Sequence, residues 1–510
     1  MEKPGFPPMT GLALVAGTLL MAMSNFTVVL DTTIANVSIP TISGDLGVST
    51  NEGAWVITSY GVAEAITVPL TGWLVSRFGE VKLFVVSMLG FTLFSALCGL
   101  APNLGLLVLF RVLQGLAGGP IIALSSTLLV SIFPKGKSHI ALALWGMTTV
   151  VAPIAGPLLG GIICDNWHWS LIFLINVPIG LAIGVCGWLL LRKRESPTRR
   201  SPIDTVGLVL LVVFVSSFQV MLDQGRELDW FSSPLVVGCG MASVLSLIVF
   251  VIWELTDRHP IVDLSVFRSR TWVVATFTLA LMFGLFIGNI VITPLWLQQV
   301  MGYTSTWAGY ATAPVGVFAV LTAPIVGRLL KKVDPRWIVT FGMGMLAISF
   351  MMRAGLSTDA SIWSIIAPLL VIGAGVPACI ITMTALGISD LPPEKVASGS
   401  GLQNFIRVLS LAIGSSLSMT YWENKTRADR VDLINQMPSA SAPDAVALST
   451  AHGLPADTAA AAFSHTVDLQ SAMLAANDFY ILAAVLIVAF AGLIWLAKKP
   501  AHGLEAGSGH

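Results

Sequence analysis

Fourteen long apolar runs, separated mostly by short polar breaks, make up this chain: about 11–35, 53–75, 82–101, 104–132, 139–164, 169–191, 203–222, 234–255, 271–295, 304–327, 336–353, 361–386, 397–421 and 476–497. A helix needs about 20 mostly apolar residues to cross a bilayer, so each run is read as a membrane span. The first run follows Glu2, Lys3 and three prolines and continues into Asp31 and Thr32. That is too long for a signal peptide and predicts a retained first span. The one long break, 422–475, is polar and carries Ala, Ser, Asp and Pro. It exceeds what two helices need to be joined, which fits either a tolerated insertion or a segment on which a partner docks.

The charges test this count. With a cytoplasmic N-terminus, twenty of the 27 Lys and Arg fall in cytoplasmic segments, among them Arg77, Lys82, Lys135, Lys137, Arg192 to Arg194, Arg199, Arg200, Arg258, Arg268, Arg270, Arg328, Lys331, Lys332, Arg336, Lys498 and Lys499. Only Arg226, Arg353, Lys425, Arg427 and Arg430 fall on the opposite side, while Arg111 and Arg407 lie within spans. Cytoplasmic loops carry the excess of basic residues, and a missed helix would invert every later loop. Fourteen spans with both termini inside satisfy the rule.

One span is unusual. Residues 152–161 read A-P-I-A-G-P-L-L-G-G, a run whose prolines and glycines would cost a helix in water several kcal/mol, at about 3 for each Pro and about 1 for each Gly. In lipid it stays helical, because its backbone groups have no water to bond instead. Gly156 and Gly160 stack on one face and admit another helix closely. Pro153 and Pro157 fall on that face and can bend it, with Gly161 beside it. A helix built to bend and pack suggests moving parts, and the run is expected to shape the interface along which they rock.

Composition narrows the class. The chain is 55% hydrophobic and 11% charged, against about 25% charged in soluble domains. Its net charge of +0 argues against a nucleic-acid partner. Cys98, Cys164, Cys186, Cys239 and Cys379 have no paired or metal-binding spacing and read as packing residues. The seven histidines are scattered, which disfavours a metal site; no cofactor is expected. A catalytic constellation at one depth and a nucleotide-binding P-loop are both missing, so neither an enzyme nor an ATP-driven pump is expected. A membrane sensor or scaffold would call for a large soluble domain, and the longest non-membrane segment is 422–475.

A weak internal repeat organises the spans. L-T-G-W-L precedes Arg77, and I-V-G-R-L precedes Lys331 and Lys332, with 255 residues between Gly72 and Gly327. This fits two six-helix halves, 11–191 and 271–497, the second including the outer loop 422–475. Two helices are inserted between them in 192–270, and 1–10 and 498–510 are cytoplasmic ends. Transporters with parallel repeats bind substrate at the repeat interface near the midplane.

Five motifs in order carry a resemblance over nearly the whole chain. They are L-D-T-T-I-A-N-V-S-I-P from Leu30, G-W-L-V-S-R-F-G-E-V-K from Gly72, R-V-L-Q-G from Arg111, the 152–161 run, and W-S-L-I-F-L-I-N-V-P-I-G from Trp169. M-L-D-Q-G-R-E-L-D-W-F from Met221 and F-R-S-R from Phe267 extend it. On these the chain resembles the major facilitator superfamily, specifically its 14-span drug:proton antiporters. The resemblance implies an all-α fold and secondary active export of lipophilic compounds in exchange for protons, by alternating access in a bacterial inner membrane. The same motifs would serve an exporter of fatty acids, bile acids or a siderophore. It also implies a periplasmic adaptor and an outer-membrane channel in a tripartite pump. Gly72, Arg77, Gly79 and Lys82 match the superfamily's loop between spans 2 and 3. Ser76 and Glu80 depart from it, standing where an acidic and a basic residue are usual, so that loop's charge relay does not carry over unaltered.

Ionisable residues inside spans cost at least about 2.5–3.5 kcal/mol and are functional candidates. Asp31 and Arg111 lie at matching depths in spans 1 and 4, both of which line the cavity in the family's fold, so they are expected to pair. Such a pair either carries a proton or is a static bridge fixing helix register. Glu64, mid-way along span 2 with no basic residue near it in sequence, is a second proton site, a contact for cationic drugs, or a residue solvated by cavity water. Arg407, the sole charge in span 13, aligns with Thr149 at an offset of about 258. It faces the cavity and pairs with anionic substrates, or bonds carbonyls across the interface. Asn25, Gln114 and Gln403 are candidate polar cavity residues; Trp145, Trp55, Phe26 and Trp307 are candidate aromatic contacts.

Overall fold

The computed structural model describes residues 7–134, 138–198, 204–257, 260–330, 332–392, 395–436 and 455–498. The N-terminal six residues, Lys135, Lys137, Arg199, Arg200, Arg258, Lys331, Lys499, the tail beyond it and the middle of the long outer loop lie outside the described residues. Among the described residues, fourteen long helices cover the fourteen apolar runs. They are α1 Gly11–Leu46, α2 Trp55–Phe78, α3 Glu80–Gly99, α4 Leu104–Ile132, α5 Ser138–Asn166, α6 Asn176–Leu191 (entered through the turn Leu171–Leu174), α7 Thr205–Gly225 and α8 Pro234–Thr256. The remainder are α9 Arg270–Gln299, α10 in two pieces (Ser305–Thr312 and Pro314–Leu329), α11 Pro335–Arg353, α12 Ile362–Ser389, α13 Val396–Gln436 and α14 Ala456–Ala491. Twelve are long and apolar enough to cross a membrane by composition alone; α2 and α13 are not. Those two carry Glu64 and the set Gln403, Asn404, Arg407 and Ser410, polar positions that collect where two halves face each other.

The packing repeats. In the first half α1 lies against α5, α2 against α4, and α3 against both α4 and α6; in the second, α9 lies against α13, α10 against α12, and α11 against both α12 and α14. The halves meet where α5 touches α10 and α12, and where α13 touches α2 and α4. Helices α7 and α8 pack on each other and, through α7, on the α2/α13 edge. They turn Val209, Val213, Leu245, Ile248 and Ile252 outward, a surface suited to lipid. The fold is all-α, two six-helix bundles with two helices added at one side.

The outer segment 422–475 differs from the expected loop. Helix α13 runs on to Gln436, and α14 begins at Ala456. At 1.5 Å per residue, the 41 residues of α13 are about 60 Å long, twice the hydrocarbon thickness. The extensions form a hairpin: Trp422 Nε1 donates to Ala472 O at 3.0 Å and Arg430 pairs with Asp468 at 2.5 Å. Lys425 is clamped by Asp429 at 2.9 Å and Asp478 at 3.0 Å; those bonds hold its ammonium well above the usual lysine range. Alanine-rich sequence after Pro455 favours helix, so a polar stretch without a membrane period still folds into one.

Candidate functional site

The deepest polar cluster sits at one end of the first half. Asp31 of α1 and Arg111 of α4 are both fully buried and pair through Nη1 and Oδ2 at 2.5 Å. Asp31 Oδ1 also accepts from Gln114 Nε2 at 3.1 Å and from Asn176 Nδ2 at 2.7 Å. Arg111 Nε donates to Val56 O at 3.0 Å and Nη1 to Gln114 Oε1 at 2.9 Å. Its guanidinium lies over Tyr60, 4.2 Å from the ring centre, and 5.4 Å from that of Phe173. Asn176 reaches on to Ser95 Oγ at 3.1 Å. Three helices, α1, α4 and α6, thus meet at one carboxylate, and α2 and α3 join the cluster through Arg111 and Asn176. Removing one partner of a buried pair leaves an uncompensated charge costing about 3–5 kcal/mol. The proton state of Asp31 therefore bears on the whole bundle.

Close approach of α2 to α4 is what brings Tyr60 and Glu64 here. A Cβ at Gly115 would sit 2.5 Å from Tyr60 O, and one at Gly119 would sit 2.9 Å from Glu64 O. Only bare backbone fits. Glu64 is 6% exposed, and among the described residues its carboxylate accepts no hydrogen bond. It is not isolated as its sequence neighbours suggest: Arg407, brought by α13 from the other half, acts on it electrostatically, although beyond direct ion-pair contact. Arg407 lies between Trp145 of α5 and Phe283 of α9, 5.5 Å from each ring centre. Trp145 is itself held by Ser125 Oγ at 3.0 Å. A carboxylate from one half and a cation from the other thus share the interface.

Three amides expected to line a cavity are buried and bonded to neighbouring helices. Asn25 Nδ2 donates to Thr148 and Thr149 Oγ1 at 2.8 and 2.9 Å, tying α1 to α5. Gln114 belongs to the Asp31 cluster, and Gln403 Nε2 reaches Met383 O at 3.5 Å on α12. Buried amides find partners inside their own bundles. Among the aromatics, Trp55 and Trp307 are 39% and 57% exposed.

The glycine and proline stripe of α5 is divided rather than turned to one partner. Gly156 and Gly160 pack on α1 within the first half: a Cβ at 156 would meet Thr33, and one at 160 would lie 3.1 Å from Ile34 O. Pro153 and Pro157 instead line a cavity of ≈ 30 Å³ between the halves, facing α9, α10 and α12. Gly161 is buried beside Gly160. At the other end of the first half, Gly79 has φ +92°, a value that favours glycine, between α2 and α3. Its neighbours Val81 and Lys82 donate their backbone N–H to Glu195 at 3.0 and 2.9 Å. A carboxylate at a helix N-terminus satisfies donors the helix cannot, and Glu195 was not singled out from sequence. Gly72 approaches Ser398 of α13, and the Arg77 guanidinium lies over Trp73 at 5.4 Å.

Sequence reasoning also missed Arg353, counted among the outer loop cations. It is fully buried at the end of α11. Nη1 donates to Thr293 Oγ1 at 2.9 Å and to the Tyr480 hydroxyl at 3.1 Å, and Nη2 donates to Asn289 Oδ1. Among the described residues no cluster of three or more His, Cys, Asp or Glu could hold a metal ion.

Comparisons with known proteins follow this geometry. The family model described as Major Facilitator Superfamily matches residues 21–415. The chain is 44% identical to the multidrug export protein EmrB of Escherichia coli (strain K12), covering 98% of each chain. It is 41% identical to the fatty acid resistance protein FarB of Neisseria gonorrhoeae, covering 99% of this chain and 100% of that one. A solved structure of a bacterial homolog of the human lysosomal transporter Spinster, inward-facing and unoccupied, superposes with a TM-score of 0.57 at 15% identity, covering 97% of this chain and 100% of that one. That last likeness concerns the fold alone.

Proposed function

The chain belongs to the major facilitator superfamily and is an EmrB-like multidrug efflux transporter, not an enzyme, and from that premise we propose that protons drive its export through the Asp31–Arg111 cluster and Glu64. The buried pair carries the proposal: a carboxylate held by a guanidinium and two amides across three helices. Protonation of Asp31 cancels its charge, releases Arg111 from its strongest partner, and loosens the packing of α1 on α4 and α6. Glu64 acts at the seam. While ionised it attracts Arg407 of the other half; once protonated it does not. Beyond ion-pair contact, opposite charges at an effective dielectric near 20 interact by less than about 4 kcal/mol, and about 1.4 kcal/mol already shifts an equilibrium about tenfold. That is enough to bias two arrangements of the halves. Lipophilic substrate occupies the seam, and alternating access exchanges it for protons that run inward. The basic-residue count supports a bacterial inner membrane with both termini cytoplasmic. The outer hairpin of α13 and α14 supports docking of a periplasmic adaptor that leads to an outer-membrane channel.

A second reading keeps the fold and changes the cargo. Likeness to a fatty acid resistance protein and buried cations facing the interface favour anionic amphiphiles such as fatty acids.

Proteoliposomes with an imposed pH gradient test the proton route. Wild-type protein exports substrate; Asp31→Asn and Arg111→Ala lose gradient-driven transport, and Glu64→Gln lowers it. Gradient-driven export at the wild-type rate in all three variants would refute the assignment.

A further inference from the structure

Both halves hold the equivalent residue of their first helix with a buried arginine, but the arginine comes from different helices: Arg111 from α4, and Arg353 from α11, the counterpart of α3. The 258-residue offset that aligns Arg407 with Thr149 sets Asn289 of α9 opposite Asp31 of α1. Each is held by a fully buried arginine, Asn289 by Arg353 and Asp31 by Arg111. The first cluster sums to zero. In the second the arginine meets only neutral oxygens, those of Asn289, Thr293 and Tyr480, with the Tyr480 ring centre 4.3 Å from its guanidinium. No carboxylate lies within ion-pair distance of Arg353 among the described residues, and its Nε has no partner. A buried charge costs several kcal/mol unless it is compensated, and an intramembrane cation without a counter-ion invites one.

The way in is through Asn289. Arg353 has only donors, so it fixes the amide oxygen of Asn289 toward itself. The Asn289 NH2 group therefore points away, and among the described residues it donates to nothing. Asn289 and Thr293 line the ≈ 30 Å³ cavity between the halves, whose apolar walls include Pro153, Pro157, Phe286, Ile290, Val315 and Leu369. An apolar cleft with a few convergent polar groups is the usual form of a small-molecule site. Here the Asn289 NH2, a donor left free among the described residues, is polarised by a full positive charge behind it. As the walls come from both halves, separating the halves enlarges this ≈ 30 Å³ space.

We propose that this Arg353–Asn289–Thr293 cluster is an anion-recognition site that seats the carboxylate of a lipophilic acid, with the hydrocarbon lying along the α5/α9 walls. It deepens the efflux reading, on which it rests, by assigning a substrate class to the second half. It leaves the first half to carry the proton.

Equilibrium dialysis with the full-length protein in lipid nanodiscs, corrected with empty nanodiscs, tests it using 2-naphthoate and 2-naphthamide. The two share a ring system and differ by one negative charge. Wild type is expected to favour the naphthoate. Arg353→Gln and Asn289→Asp are each expected to weaken naphthoate binding by at least about tenfold and naphthamide by less than about threefold, because only the naphthoate carries a charge for Arg353 to compensate. Asn289→Asp gives Arg353 the ion pair already present at Asp31–Arg111, so it tests charge even where Arg353→Gln fails to fold. Equal weakening of both ligands, no weakening in Asn289→Asp, or a wild type that does not favour the naphthoate would each overturn the proposal. No pH gradient is applied, so failure of the proton route leaves this readout untouched.

Discussion

Arg111 makes contacts that a lysine in its place could not reproduce: Nε to Val56 O, Nη1 to Asp31 and Gln114, and a flat face on Tyr60. A lysine keeps the charge but has neither the planar fork nor the stacking surface. Arg111→Lys is therefore expected to lose about 1–3 kcal/mol of stability, read by thermal unfolding, and to slow gradient-driven export. Wild-type values for both would contradict the geometry. Asp31 and Arg111 were legible in sequence because a charge inside an apolar run stands out. Arg353 was not: it ends its run, so it counted as an outer loop cation, and only the fold turns it inward to Asn289. Asn176 stayed hidden because an uncharged amide inside an apolar run does not stand out as a charge does. Glu195 acts on α3 from more than a hundred residues away, a capping contact that no local pattern encodes.

Among the helices, α5 shows what a small-residue stripe can and cannot tell. Bare positions four apart announce that something packs closely, but not what. The partner of Gly156 and Gly160 is α1 of the same half, while the prolines one step around the helix face the other half. Gly156→Ala is expected to force Thr33 and α1 aside and to destabilise the protein by about 1–3 kcal/mol, the usual cost of overpacking. Gly44→Ala, on the same α1 but with open space beyond it, serves as the control and is expected to leave the unfolding temperature within about 2 °C. An equal shift for both would remove the close-packing argument. Twelve of the fourteen runs have the apolar length that is decisive in lipid; α2 and α13 form helices despite their polar positions. The outer hairpin escaped that reading, since α13 and α14 continue outward on helix propensity and ion pairs instead.

Across the whole molecule, the repeat in packing was legible only as a faint echo of sequence at Gly72 and Gly327, while the contact pattern of the two bundles is nearly the same. The difference lies in the charges. One half buries a neutral acid–base pair, the other a cation, and Glu64 faces Arg407 where they meet. Helices α2 and α13, the least lipid-like of the fourteen by composition, are the ones that carry that facing pair, so polarity in a span marked the seam. On the proposed reading, an exporter built this way moves protons against its cargo. Proteoliposomes enclosing a pH-sensitive dye, given a substrate gradient but no initial pH difference, test this most directly. Wild type is predicted to move protons opposite to substrate, and Asp31→Asn to move none. Substrate flux without proton counterflow in wild type, or wild-type proton flux in Asp31→Asn, would contradict it.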